Sequence, residues 1–198
     1  MRYIFAIYVC MLIFSCQSNE IVSYEDALKQ CDEIVAEQLE SGTDVVGYNT
    51  SCLIGAEIPD FEATTLDDEN ISKEQLKGKL SIINFWFINC APCLAEIPGF
   101  NAIVEKFGSD QVNYIAIGRD DQADTADFLK KHPWTFQQIT DGAQLIDQTF
   151  KIRSGYPTTF LLDENAKIIL AFRGGKIDTT ASQAIQDKLV PRIEDELN

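Results

Sequence analysis

The chain has 198 residues, 45% of them hydrophobic and 10% aromatic, with a formal net charge of −15. That length fits one domain with appendages, and that apolar content excludes a disordered chain. The acidic balance argues against nucleic acid as a partner, because phosphate binding needs Lys/Arg surfaces; it reads as a solvated face that favours solubility and attraction to basic partners.

Met1-Arg2 is followed by residues 3–14, twelve positions without a charge. This run is too short to span a bilayer as a helix and has the length of a signal h-region. Ile13-Phe14-Ser15-Cys16 then resembles the bacterial lipoprotein signal, in which a small residue precedes an acylated cysteine. Lipidation at Cys16 is therefore expected, with a lipid anchor outside the cytoplasm; ordinary secretory cleavage and an uncleaved anchor are the other readings. The organisation that follows is a signal segment over 1–16, a tether and amphipathic helix over 17–54, and the main domain over 55–198.

Ser23 with Asp26 three residues on has the form of a capping box. Ala27, Leu28, Cys31, Ile34, Val35 and Leu39 recur at helical spacing, so residues 24–41 are predicted as an amphipathic helix packed on the main domain, with Gly42 as its stop. The main domain opens with two short strands, 59–63 and 70–71, around the Asp67-Asp68-Glu69 turn. A helical turn over 73–76 ends at Gly78, and 80–87 is a buried strand. A helix over 93–107, kinked at Pro98, leads to a second buried strand over 112–118. Strand, helix and strand form a βαβ unit, which requires a parallel pair. Helices follow at 123–131 and 143–150, with a short strand at 136–139. The Glu164-Asn165 turn joins strands 159–162 and 167–172 in an antiparallel hairpin. Gly174-Gly175 breaks the chain, and 180–197 is a closing helix that Pro191 makes less regular.

The chemistry concentrates at residues 82–98, IINFWFINCAPCLAEIP. Cys90 stands at a strand-to-helix junction, and Pro92 falls in the first helical turn, where its missing N–H costs nothing. Free backbone N–H groups and the positive end of the helix dipole favour a thiolate at Cys90. Two cysteines at this spacing also close on each other as a disulfide, so the position has two redox states. Zinc sites use the same spacing but need about four ligands, and the single histidine, His132, lies in a His-Pro-Trp turn. No metal and no cofactor are expected. Six cysteines are present; setting aside Cys10 and Cys16 in the signal segment and the reactive Cys90 and Cys93 leaves Cys31 and Cys52. In an exported protein these two suggest a structural disulfide, with a pair of buried free thiols as the alternative.

Asn84-Phe85-Trp86, Cys90 and Cys93, Glu96 and Pro98, together with the distant Tyr156-Pro157-Thr158-Thr159, resemble the thioredoxin-like extracytoplasmic thiol–disulfide oxidoreductases of the ResA/TlpA type. The resemblance spans about residues 55–175. It implies an α/β thioredoxin-like fold, a central mixed β-sheet flanked by helices, preceded here by an N-terminal β-hairpin and an extra N-terminal helix. It also implies a monomeric reductase of protein disulfides fed by a membrane-bound electron donor, with cytochrome c maturation as one setting. Cys90 is then the nucleophile and Cys93 the resolving thiol. Glu96, three residues after Cys93 on the same helical face, leans toward the helix N-terminus and is a candidate base for the Cys93 proton; a surface carboxylate is the plainer reading. Pro157 resembles the cis-proline that faces the active-site disulfide in thioredoxin folds, with Tyr156 lining the substrate groove; a trans proline opening a strand is its alternative.

Two departures stand out. Thioredoxin places an acid six residues before its first active cysteine, and here Asn84 occupies that position. Many relatives carry a tryptophan immediately before the first cysteine, where this chain has Asn89. Two other functions compete. Thiol peroxidases carry Pro-x-x-x-Thr/Ser-x-x-Cys, and Ile83 and Phe87 stand at those offsets from Cys90. A metal-binding chaperone would use Cys90 and Cys93 as ligands.

Overall fold

The computed structural model describes residues 22–41 and 50–198. Cys10, Cys16, the signal segment and Gly42 lie outside the described residues. A five-stranded sheet in the order β5-β4-β3-β6-β7 organises the domain: β3 is Leu80–Trp86, β4 Val112–Gly118, β5 Gln137–Ile139, β6 Thr158–Leu162 and β7 Ile168–Arg173. β4 runs parallel to β3 and β5 parallel to β4, whereas β6 and β7 are antiparallel to their neighbours, so the sheet is mixed. Ahead of it, β1 (Glu62–Thr64) and β2 (Asn70–Ser72) form a small antiparallel hairpin.

Every residue of β3 is buried, which is why its sequence is apolar without alternation. Successive side chains still point to opposite faces. Ile83 and Phe85 enter one core with Ile115, Ile117, Phe150, Phe160 and Leu162. Ile82 and Trp86 enter the other, beneath α3 (Ala91–Phe107) and α5 (Ala181–Leu197), which pack on each other. Trp86 is wedged between Phe128 and Trp134, at centroid distances of 5.4 and 5.1 Å. Truncating an aromatic this deep costs about 3–5 kcal/mol.

α1 (Tyr24–Glu40) belongs to the first of these cores. Ser23 caps it, its Oγ accepting the Asp26 N–H at 3.1 Å and donating to the Asp26 carboxylate at 2.6 Å. Tyr24, Ala27, Leu28 and Cys31 are buried in the core, and the Tyr24 hydroxyl donates to the Phe150 carbonyl at 2.8 Å. Lys151 pairs with Glu25 and Arg153 with Asp32 across the same interface. The apolar stripe outruns this contact, however. Ile34 and Val35 are half-buried and Leu39 is 64% exposed, so only the first half of the helix lies over the domain. A disulfide joins Cys31 to Cys52 in the short helical turn Thr50–Leu53.

Several boundaries differ from the sequence expectation for identifiable reasons. α3 begins at Ala91 rather than residue 93, because the Cys90 sulfur itself caps the helix by accepting the Cys93 N–H at 3.3 Å. It then continues through Pro98, as α5 does through Pro191. The segment expected as a helix over 143–150 is a wider, π-type turn, Leu145–Thr149, in which the Phe150 N–H reaches the Leu145 carbonyl at 2.9 Å. α2 (Lys73–Leu76) and α4 (Gln122–Leu129) complete the set.

Candidate active site

The site lies at the C-terminal end of β3, where the chain turns into α3. Cys90 and Cys93 are joined in a disulfide and both are buried, Cys93 the deeper at 1% exposure. The sulfur of Cys90 therefore occupies the place of a helix N-cap oxygen, within reach of the free N–H groups of the first turn. When the bond opens, those donors and the helix dipole stabilise a thiolate there, and the effect fades within one turn. The loop ahead of Cys90 is held by Asp120, whose carboxylate accepts the Ile88 N–H at 2.7 Å.

Glu96 is 2% exposed, on the face of α3 that carries Cys93. Burial pushes its carboxyl pKa up to about 8, opposed by the charge of Lys188 and by the nearby Gly175 N–H. Its Oε2 is buried without a hydrogen-bond partner. A carboxyl with these properties changes charge near neutral pH, the range in which a general base is useful. Beneath the helix, Asn84 is also buried; its amide donates to Thr159 Oγ1 at 2.9 Å. An amide cannot act as a proton acceptor in this role, which leaves Glu96 as the buried carboxylate of the α3 face.

The loop before β6 closes the site from the other side. The Tyr156–Pro157 peptide is cis, and the Pro157 carbonyl accepts the Gly174 N–H at 2.9 Å. Tyr156 stands edge-on to Phe87, with ring centroids 5.3 Å apart. Its hydroxyl accepts from Arg119 Nη1 at 2.9 Å, and that guanidinium is held by the Asp147 carboxylate at 2.6 and 2.8 Å. Cys90, Cys93, Glu96, Tyr156 and Pro157 thus belong to one end of the sheet.

Arg119, Asp120 and Asp147 were not singled out from the sequence, and Gly174 read there only as a chain breaker. Arg119-Asp120 follows β4 directly, and the carboxyl ends of adjacent parallel strands are where α/β sites gather, so that pair was findable. Asp147 and Gly174 carry no such signal.

Comparison with known proteins assigns the architecture. The AhpC/TSA family pattern matches residues 54–171. The chain belongs to that family. It is 33% identical over 123 residues to the thiol-disulfide oxidoreductase ResA of Bacillus cereus, covering 61% of this chain and 70% of the relative. It is 30% identical over 112 residues to the sporulation thiol-disulfide oxidoreductase A of Bacillus subtilis, covering 54% and 67%. Among solved structures, StoA from Bacillus subtilis superposes with a TM-score of 0.53 at 29% identity, over 66% of this chain and 97% of StoA. The thioredoxin domain of a Bacteroides vulgatus thiol-disulfide oxidoreductase gives 0.61 at 21% identity, over 73% and 98%. The fold is thioredoxin-like and the enzyme class is thiol–disulfide oxidoreductase.

Proposed function

We propose that the protein reduces disulfides of extracytoplasmic proteins through a Cys90/Cys93 dithiol–disulfide cycle. The observation that carries this reading is the sulfur of Cys90 at the cap of α3, bonded to a deeper Cys93 and bordered by a buried carboxyl. In the reduced protein the Cys90 thiolate attacks a substrate disulfide and forms a mixed disulfide, releasing the first substrate sulfur. Cys93 gives its proton to Glu96 and attacks Cys90. The Cys90–Cys93 bond forms and the second substrate thiolate leaves and takes up a proton. Two electrons have passed to the substrate, and a membrane-bound donor restores the dithiol.

Tyr156 and Pro157 line the groove that receives the substrate chain. The lipid anchor at Cys16 holds the domain, as a monomer, at the outer face of a membrane, and cytochrome c maturation is the setting that the ResA resemblance suggests. The residues at the peroxidase offsets, Ile83 and Phe87, have no hydroxyl, which disfavours peroxide chemistry. Anaerobic titration of the reduced protein with copper or zinc separates the metal-chaperone alternative from the redox reading.

The direct test is a Cys93→Ala variant incubated with a peptide disulfide. It should accumulate a mixed disulfide at Cys90, identified by peptide mass, and Cys90→Ala should accumulate none. Trapping on a residue other than Cys90 would refute the assignment.

A further inference from the structure

Past Arg173, the last residue of β7, the chain reads Gly174-Gly175-Lys176-Ile177-Asp178 on its way to α5. A glycine pair after a strand suggests a simple chain breaker, yet the two glycines have different surroundings. Gly174 does not adopt a positive φ, so its backbone does not demand glycine. Space does. A Cβ there would overlap Oε1 of Glu96 and stand 2.7 Å from its Cδ and 2.8 Å from Cγ of Pro157. A Cβ on Gly175 meets nothing within 4 Å.

The same dipeptide faces both groups. The Gly174 N–H donates to the Pro157 carbonyl at 2.9 Å, and the Gly175 N–H is near enough to the Glu96 carboxylate to favour its charged form. Around that carboxylate, α5 presents Lys188, whose Nζ lies 4.4 Å from the Phe172 ring centroid, and the Cys90–Cys93 disulfide stands at the start of α3. The remaining oxygen, Oε2, is the unpartnered one. One short strap therefore ties the substrate-facing proline and the buried carboxylate to a single mount.

We propose that Gly174-Gly175 is a positioning element for Glu96: it seats the carboxylate against Pro157 with one oxygen packed on the glycine strap and the other left to take the Cys93 proton. This rests on the reading of Glu96 as the base in resolution. In the step it serves, the Cys93 S–H bond breaks and its proton moves to Oε2. The Cys93–Cys90 bond then forms as the Cys90–substrate bond breaks, and the departing substrate thiolate takes up a proton. A substrate chain docked at Tyr156-Pro157 and the base that releases it are registered through the Gly174–Pro157 bond.

The test compares resolution of a pre-formed mixed disulfide across pH, by rapid quench and mass, in the full-length wild type, Gly174→Ala, Glu96→Gln and the double variant. Gly174→Ala displaces the carboxylate from the Gly175 N–H, a donor that favours the charged form. The pH midpoint of resolution should rise by about one unit, with a loss of roughly tenfold at neutral pH, as expected for one N–H donor beside a charged group. In the Glu96→Gln background the glycine substitution should add no further shift. An unchanged profile in Gly174→Ala, alongside slow resolution in Glu96→Gln, would overturn the strap and leave the base standing. Unchanged resolution in Glu96→Gln would overturn the base itself.

Thermal unfolding covers a failure to fold. Gly174→Ala should destabilise the wild type and be tolerated better when Glu96→Ala removes the carboxylate, while Gly175→Ala should unfold like wild type. Equal damage from Gly174→Ala in both backgrounds would show that Glu96 is not what demands the glycine.

Discussion

Cys31–Cys52 and Cys90–Cys93 are the same bond in two environments. The first spans 21 positions and joins the middle of α1, where Cys31 is packed into the core, to a turn at the edge of the domain. The second spans three positions and caps a helix whose first-turn donors favour a thiolate. A cross-link over a long loop removes much unfolded-chain entropy; one over three residues removes little. A sulfur among apolar side chains has nothing to stabilise its anion, and a sulfur at a helix N-terminus does. Loop length and local electrostatics, rather than the cysteines themselves, divide a staple from a reactive pair.

The comparison breaks if removing the staple harms the chemistry. Replacing Cys31 and Cys52 by Ala should cost about 3 kcal/mol of stability, read by urea unfolding of otherwise oxidised protein. The rate of peptide disulfide reduction at 25 °C should be retained. A large loss of rate with unchanged stability would invert the two roles.

Glu96→Gln sharpens the other half. A carboxylate near Cys93 also repels a thiolate, so as base and as neighbouring charge it has opposite effects. We expect the base to dominate: resolution of the mixed disulfide should slow by roughly 10²-fold while its formation at Cys90 persists. The raised pKa of Glu96 also bears on folding. Between its ordinary value of 4.5 and about 8, the folded chain holds a proton that the unfolded chain has lost. Stability should therefore fall as pH rises through that window, by at most about 1.4 kcal/mol per unit, and be level for this group below and above it. Urea midpoints against pH for wild type and Glu96→Gln check this, the variant showing the shallower slope.

A smaller effect is expected at the groove. Arg119→Ala removes the donor to the Tyr156 hydroxyl and frees Asp147. KM for a peptide disulfide should rise several-fold, about 1 kcal/mol, with kcat nearly unchanged. Steady-state kinetics on two peptides of different sequence measure it.

Much of this arrangement was legible along the chain because its signals are local. The apolar run 80–87 and the Cys90-Ala91-Pro92-Cys93 turn each show their nature within a few residues, whereas Tyr156-Pro157 left cis and trans open until the fold was seen. The helical stripe of α1 was visible too, but periodicity says which face is apolar and not how far the partner surface extends; Leu39 lies beyond it. The π-type turn was misread as α because both present apolar residues at similar spacing. Gly174 read as punctuation because its demand comes from Glu96 and Pro157, far away in sequence. The Arg119–Tyr156–Asp147 link likewise joins two loops and the π-type turn, three segments far apart in the chain.

The division between the two disulfides is tested most directly by graded reduction. Oxidised full-length protein is equilibrated in thiol–disulfide buffers of increasing reducing strength, quenched with alkylating reagent and mapped by peptide mass. Cys90 and Cys93 should become alkylated first, while Cys31 and Cys52 remain joined until much stronger reduction or unfolding. Opening of Cys31–Cys52 before or together with Cys90–Cys93 in folded protein would contradict that division.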